Sequence, residues 1–443
     1  MSALLVANGT VVTLGEANRV LPAHDLLVEN GRVARIAPHG RVAAEAPRTL
    51  DATRKLVLPG FINAHTHFYS TLARGLGKAR PSRDFRQVLE RLWWRLDRAL
   101  TLEDCRLSAL VVLLEAVRKG TTTLIDHHAS PGAVRGSLDA LAEAVGASGL
   151  RACLCYEVSD RDGAGVAREG IDENAAFVRR VQGEDDPLLR ALFGLHASFT
   201  VGDETLERAA REARELGVGC HVHAAEALAD QEHCLAAHGQ RVVERLASRG
   251  VLGPRSIAAH CVHVDEREID VLAATGTAVV HNPQSNLNNA VGVADVVGMV
   301  ARGVLVGLGT DAMTVHMPEE LRVALWSQHH AREDPSVGFV ETVSALTSGN
   351  ACIAGRLWPG LGLGTLSEGG AADLILVDYD PPTPLTVETF PGHLVFGVSQ
   401  ATVETTVVGG RVLMERRRLC LDLDEAEVAA KAREAAARLW DRF

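Results

Sequence analysis

Short, nearly continuous apolar runs alternate along the middle of the chain with stretches whose apolar residues recur every three or four positions. The runs are Leu56–Asn63, Thr121–Asp126, Leu150–Glu157, Leu189–Leu195, Gly217–His223, Ser256–His260, Thr277–His281 and Val304–Thr310. Such runs predict strands buried on both faces. Between most of them, Leu107–Arg118, Ala133–Ser148, Glu204–Leu216, Gly239–Arg249 and Glu266–Ala274 carry the helical period. Eight alternating units predict either a closed (β/α)8 barrel or an open doubly wound sheet. No Gly-x-Gly-x-x-Gly follows a strand and opens a helix, which weakens a dinucleotide-binding reading.

The two ends have a different texture. Leu4–Leu14 reads as a strand, and Asp25–Ile36 as a hairpin about Glu29-Asn30-Gly31. Near the other end, Ala372–Asp378 reads as a strand and Val403–Leu419 as a hairpin about Gly409-Gly410. Neither end has enough strands to bury a core alone, so one small β domain built from both is expected. Asp424–Phe443, rich in Ala, Glu and Arg, predicts a closing helix. Ala73–Leu100, carrying Trp93 and Trp94, is a long insertion after the first barrel strand and a candidate lid.

Composition narrows the class. The 443 residues are 47% hydrophobic and 23% charged, enough for a sizeable core and too apolar for a disordered chain. Lys and Arg total 45 against 56 Asp and Glu, a net charge of −11, which argues against nucleic-acid binding. No apolar run is long enough to span a membrane. The start, MSALLVANGTVVTL, lacks a basic leader region and reads as a strand. Eight scattered cysteines with no CxxC pair fit reduced thiols and a cytoplasmic protein.

The candidate chemistry sits at strand ends. His65 and His67 are two apart on the first run, so both imidazoles reach one side of a strand. His221 and His223 repeat the spacing, with Glu226 three residues beyond; His260 ends the sixth run and Asp311 follows the eighth. In a barrel, these ends form the active face. Three histidines and one carboxylate suit a borderline divalent ion such as Zn²⁺ or Fe²⁺. Such an ion lowers the pKa of bound water toward about 7. Asp311 can hold the attacking water, Glu226 can carry protons to a ring nitrogen, and His260 can bond the water or a developing anion. The reading is hydrolytic attack on an electrophilic carbon attached to nitrogen.

These residues stand in longer motifs: Pro59-Gly60-Phe61-Ile62-Asn63-Ala64-His65-Thr66-His67, His221-Val222-His223-Ala224-Ala225-Glu226, Ala259-His260-Cys261-Val262-His263, His281-Asn282-Pro283-Gln284-Ser285-Asn286 and Gly309-Thr310-Asp311-Ala312. With them the chain resembles the amidohydrolase superfamily over nearly its whole length, and within it the cytosine/guanine/triazine deaminase branch. The resemblance implies a distorted TIM barrel at 59–364 and a composite β-sandwich from 1–58 and 365–443, the latter with the closing helix. It implies His65, His67, His223 and Asp311 as metal ligands, Glu226 as proton shuttle, and His260 at the reacting centre. His196, in Gly194-Leu195-His196-Ala197-Ser198-Phe199-Thr200, occupies the position of a substrate-binding histidine. It further implies one divalent metal per chain, zinc foremost with iron as the rival, and a homo-oligomer. The stretches Leu92–Leu100 and Ile125–Pro131 resemble a narrower subgroup of aminohydrolases associated with selenium-dependent purine and hydroxylase metabolism. The run Ser285-Asn286-Leu287-Asn288-Asn289 has Leu after Ser-Asn, where the branch commonly has Met or Leu, but carries extra amides, Asn288 and Asn289, which either alter substrate hydrogen bonding or cap a helix.

Relatives with two metals bridge them by a carboxylated lysine on a middle strand. The only lysines here are Lys55, Lys78, Lys119 and Lys431, so strands three to eight have none. A mononuclear site follows, with Glu157 as the residue through which a bridge would otherwise form. The expected reaction is deamination of an amino-substituted purine, pterin or related ring, with release of ammonia. Rival readings are hydrolysis of a cyclic or linear amide and an inactive barrel scaffold. Trp93, Trp94 and Phe68 are candidate stacking groups for a flat ring. His127, His128, His316 and the basic cluster Arg74, Lys78, Arg80 and Arg83 are further candidates for substrate contact.

Overall fold

In the computed structural model, which describes residues 3–15, 17–42, 48–184 and 186–443, the central alternation closes on itself. Parallel strands Phe61–Thr66, Thr121–Asp126, Arg151–Leu154 and Leu189–Ala191 form one four-stranded sheet. Phe193–Ala197, Cys220–Ala224, Ile257–His260, Ala278–His281 and Val306–Leu308 form a five-stranded one. The fourth barrel strand runs through both sheets with a break at Leu192, so the sheets are two arcs of one distorted barrel. Parallel bridges Val158–Leu195 and Thr66–Asp311 close the seams. Asn350 laces the first strand to the last, its Nδ2 donating to the carbonyls of Ile62 at 2.7 Å and Leu308 at 2.9 Å. The open-sheet alternative is thereby excluded.

The run Leu56–Asn63 serves two sheets. Leu56–Pro59 pairs antiparallel with Leu374–Asp378, and the barrel begins at Phe61. Between them, a Cβ on Gly60 would lie 2.1 Å from the Thr122 hydroxyl, so the crossing needs glycine. The predicted helices form, with Leu107–Arg118 extending to Leu102–Lys119 behind a Thr101–Asp104 capping box. Further helices, among them Ala164–Gly183, Leu228–His238 and Met317–Arg332, lie in segments that the apolar pattern left without an element.

Both chain ends contribute to one nine-stranded sheet. Leu4–Val12, Val20–Glu29, Arg32–Pro38, Arg48–Asp51 and Leu56–Pro59 come from the start. Leu374–Asp378, Thr402–Val408, Arg411–Glu415 and Arg418–Leu419 come from the end. Both expected hairpins are present. The Gly409-Gly410 turn comes back against Val28 and Gly31, and the sheet wraps a core that includes Val6, Leu26, Val57, Leu374 and Val407. Of the predicted first strand's leading residues, Met1 and Ser2 lie outside the described residues. The closing helix, Glu425–Arg442, packs on Leu102–Lys119. All eight cysteines are free. Among the described residues, no helix is long and apolar enough to cross a membrane.

Candidate metal centre and substrate cavity

Strand pleat and backbone turns converge the polar groups at one barrel mouth. His65 and His67 project from the end of the first barrel strand, and His223 from the fifth. Asp311 follows the eighth strand after Gly309, whose missing side chain lets the backbone pass; a Cβ there would come within 2.8 Å of the His65 backbone. Ala225, His260, Cys261 and Asp311 all have left-handed backbones, with φ of 48°, 73°, 49° and 52°. For residues with a side chain this costs about 1–2 kcal/mol each, so the turns that aim Glu226, His260 and Asp311 are held by their surroundings. Asp230 holds one of them, accepting the Ala225 N–H at 2.9 Å.

His65, His67, His223, His260 and Asp311 are all buried and adjoin one another. His67 Nε2 lies 3.2 Å from His223 Nε2 and 3.1 Å from an Asp311 oxygen. The other ring nitrogens are tied back. His67 Nδ1 donates to the His127 carbonyl at 2.5 Å, and His223 Nδ1 to the His196 carbonyl at 3.1 Å. His65 Nδ1 meets His221 Nε2 at 2.9 Å. This orients each Nε2 inward, as metal-binding histidines require. His65 Nε2 has no hydrogen-bond partner although it is buried. Burial, with neighbouring imidazoles, holds His65 and His223 well below the ordinary histidine pKa and so neutral. His67 differs: burial lowers it too, but its bond to Asp311 outweighs burial and raises it to about 9, a proton that an ion at its Nε2 would displace. Pre-oriented imidazoles with an orphaned inward nitrogen on His65, plus one carboxylate, fit a divalent ion of the zinc type.

The carboxylates beside this group differ in state. Burial, reinforced by the Asp311 charge and eased by His260, pushes Glu226 up to about 7. Burial also acts on Asp311, but His67, His260 and the Ser285 hydroxyl, which donates to it at 2.5 Å, hold it well below the usual range. His260 Nδ1 donates to Asn286 Oδ1 at 2.8 Å. Its Nε2, without a hydrogen-bond partner, faces Glu226 at 3.6 Å and Asp311 at 3.8 Å.

A cleft opens over these groups. His67, His223, Glu226 and Asp311 lie on its polar side, and Trp93, Trp94, Phe85 and Phe199 on its aromatic side, with His196 among the lining residues. The insertion folds as Phe85–Val88, a π-helical turn Leu89–Trp93 and Trp94–Ala99, and so supplies much of this wall. Phe68 is not a stacking group: it is wholly buried in the core, and its neighbour Tyr69 lines the cleft instead. His127 and His128 are buried behind the cleft, where His127 meets Glu157 at 3.2 Å and His128 bonds Ser130 at 2.9 Å. Glu157 also faces His196 at 3.6 Å. His316 stands at the start of the helix Met317–Arg332, its Nδ1 3.3 Å from the Glu319 carboxylate. Arg74 is tied to Glu115, and Lys78 to Asp441 and the Trp440 carbonyl; neither cation, nor Arg80 or Arg83, lines the aromatic cleft.

Residues outside the candidate catalytic and ligand set also line the cleft. Asn289 donates weakly to Glu226 at 3.4 Å, which gives one of the unusual amides a contact. Asp97 is buried in the wall against Arg161; burial raises its carboxyl to about 7 despite that cation. Its only signal was its place within Leu92–Leu100.

A closed α/β barrel that gathers such imidazoles and carboxylates at its strand ends works as a metal-dependent hydrolase on carbon–nitrogen bonds other than peptide bonds, with a single divalent metal. The chain belongs to the amidohydrolase family, whose profile matches residues 56–413. It is 33% identical over 452 residues to a 5-methylthioadenosine/S-adenosylhomocysteine deaminase of Pelotomaculum thermopropionicum, covering 100% of both chains. It is 31% identical over 446 residues to a 5'-deoxyadenosine deaminase of Methanosarcina mazei, covering 100% of this chain and 99% of the other. A zinc-bound adenosine deaminase from Xanthomonas campestris superposes with a TM-score of 0.87 at 27% identity, covering 98% of each chain.

Proposed function

We propose that this protein is a mononuclear deaminase of an amino-substituted purine or closely related ring, releasing ammonia. The observation that carries the reading is Glu226: a carboxyl pushed to about 7, in the aromatic cleft, beside the carboxylate of Asp311. The adenosine-type deaminases among the relatives support a purine. Assignment to the cytosine/guanine/triazine branch is part of the proposal. A link to selenium-dependent hydroxylase metabolism rests on the sequence resemblance alone.

His65, His67 and His223 through Nε2, with Asp311, would hold the ion. When bound, a divalent ion makes water nucleophilic at neutral pH by lowering its pKa toward about 7. Trp93 and Trp94 offer faces for a flat ring, and His196 a polar contact at its edge. Glu226, about half protonated near neutrality, delivers its proton to the ring nitrogen next to the amino-bearing carbon, which makes that carbon electrophilic. Asp311, ionised, accepts a proton from the attacking water, and His260 Nε2 is placed to bond the developing oxyanion. The proton held by Asp311 passes to the amino group, which leaves as ammonia, and the hydroxyl proton of the adduct returns to Glu226 as the C=O forms. Residues 59–364 are proposed as the catalytic unit, flanked by 1–58 and 365–443, in a homo-oligomer.

The test is ammonia release by zinc-loaded protein from amino-purines, oxidised guanines, pterins, cytosines and amino-triazines, with Asp311→Asn as control. Ammonia from a purine, lost in an Asp311→Asn protein with unchanged circular dichroism, is expected. A new carboxylate without ammonia, from hydantoins or lactams, would replace the reading with amide hydrolysis.

A further inference from the structure

Two clefts, not one, end on His67 and Asp311. Besides the aromatic cleft, a second reaches the same pair from another side. The two share His67, Asp311, Ala312 and Trp93, so the Trp93 indole stands between them. Trp93 closes the π-helical turn and packs edge-on against Tyr69, with ring centroids 6.4 Å apart. π-Helical turns often mark functional positions.

The walls differ in chemistry. The second cleft presents Ser70, Thr71, Asn288 and Thr314 beside the aliphatic Ala73, Leu92, Val112 and Met313, and among its lining residues Trp93 is the only aromatic ring apart from His67. Its charged groups away from the metal-binding group are Arg74 and Glu115, which neutralise each other through two bonds of 2.6 and 3.0 Å. Short hydroxyls set among aliphatic side chains, with a closed ion pair, suit small neutral molecules, and apart from Trp93 offer neither stacking for a ring nor a free charge for an anion.

We infer that this cleft is a separate passage for water and ammonia, divided by Trp93 from the passage taken by the ring. The inference rests on the deaminase reading for its cargo. Each turnover replaces a ring C–NH₂ by C=O, consuming one water and releasing one ammonia. A ring seated in the aromatic cleft blocks that mouth, so a second opening lets ammonia leave before the ring product.

The test narrows each passage separately. Thr71→Trp fills the polar cleft, and Leu89→Trp fills the aromatic one, each residue lining only its own passage. The readout is azide binding to cobalt-loaded protein, followed by visible absorption, in wild type, both single variants and the double variant. With Leu89→Trp in place the polar cleft is the remaining path, so adding Thr71→Trp is expected to slow azide association about tenfold or more. Equal rates with and without Thr71→Trp in that background would overturn the passage. Met313→Trp, from the loop after Asp311, carries the same expectation if Thr71→Trp does not fold by circular dichroism. In turnover, Thr71→Trp should lower kcat about tenfold while kcat/KM for the ring holds, since release and not ring capture is slowed. Slowed azide in a protein that yields no ammonia from any ring would uphold the opening but overturn its ammonia cargo together with the deaminase reading.

Discussion

Glu226 and Asp311 flank one imidazole, His260, yet titrate in opposite directions. Burial acts on both, but only Asp311 has His67 and the Ser285 hydroxyl bonded to it, while Glu226 has the Asp311 charge nearby and one weak amide donor. Two carboxyls whose surroundings push them apart are an acid and a base. Glu226→Gln removes the proton but keeps the shape, so kcat for ammonia release should fall about 10²–10⁴-fold. Elemental analysis should still find one zinc per chain, because the carboxyl is not among the proposed donors; loss of the metal would reassign Glu226 as a ligand. The histidine pairs could be read from sequence because two-residue spacing puts both rings on one side of a strand. Ser285 and Asn289 could not: they reach Asp311 and Glu226 across 26 and 63 residues of chain.

At the level of elements, strands were legible where both faces are buried and helices where one face is. Thr121–Asp126 forms as expected because every residue in it is buried. Ala164–Gly183 escaped notice because glycines at 165 and 170 and a polar first half dilute its period. Leu228–His238 buries few residues, and its Leu228 and Leu235 face solvent, which breaks the apolar stripe. In the terminal sheet, Asp25 is a knot between elements. Its carboxylate accepts the N–H of Asn8 on the neighbouring strand at 2.8 Å, that of Gly40 beyond the next strand at 2.8 Å, and His39 Nδ1 at 2.8 Å. Burial would raise its pKa, but these donors outweigh it and hold the carboxyl below the usual aspartate value. A lowered folded pKa gives stability that is full above the unfolded value, about 3.9, and is lost as pH falls through the folded one. Asp25→Asn should therefore cost about 1–3 kcal/mol by urea unfolding at pH 5–6. The gap to wild type should narrow below about pH 4. A gap that widens toward low pH would show that Asp25 is not the ionised partner.

At the scale of the whole molecule, a buried ion pair joins the barrel to the sheet made from both ends. The third barrel strand begins at Arg151, whose Nε and Nη2 donate to the two oxygens of Asp373 at 2.7 and 3.0 Å. Asp373 also accepts the N–H of Gly409 at 2.8 Å, in the turn of the late hairpin, and its carbonyl accepts the Gly60 N–H at 3.1 Å, where the chain passes from sheet to barrel. Both hairpins were legible from their Gly-containing turns, but neither spacing nor composition could say that these two residues, 222 apart, would meet. Both side chains are nearly inaccessible, at 4% and 3% exposure, so the two states of the pair are unequal in cost. Intact, desolvation offsets much of the attraction; with one partner gone, the other is a buried unpaired charge. Arg151→Ala should cost about 3–5 kcal/mol, most of it from the stranded Asp373 carboxylate. Adding Asp373→Asn removes that charge, keeps an acceptor for the Gly409 N–H, and should recover a large part of the loss. Thermal unfolding of the wild type, the single variant and the double variant reads this out. A double variant no more stable than Arg151→Ala would mean that the arginine acts through packing on the strand, and not by neutralising the carboxylate that joins the two ends to the barrel.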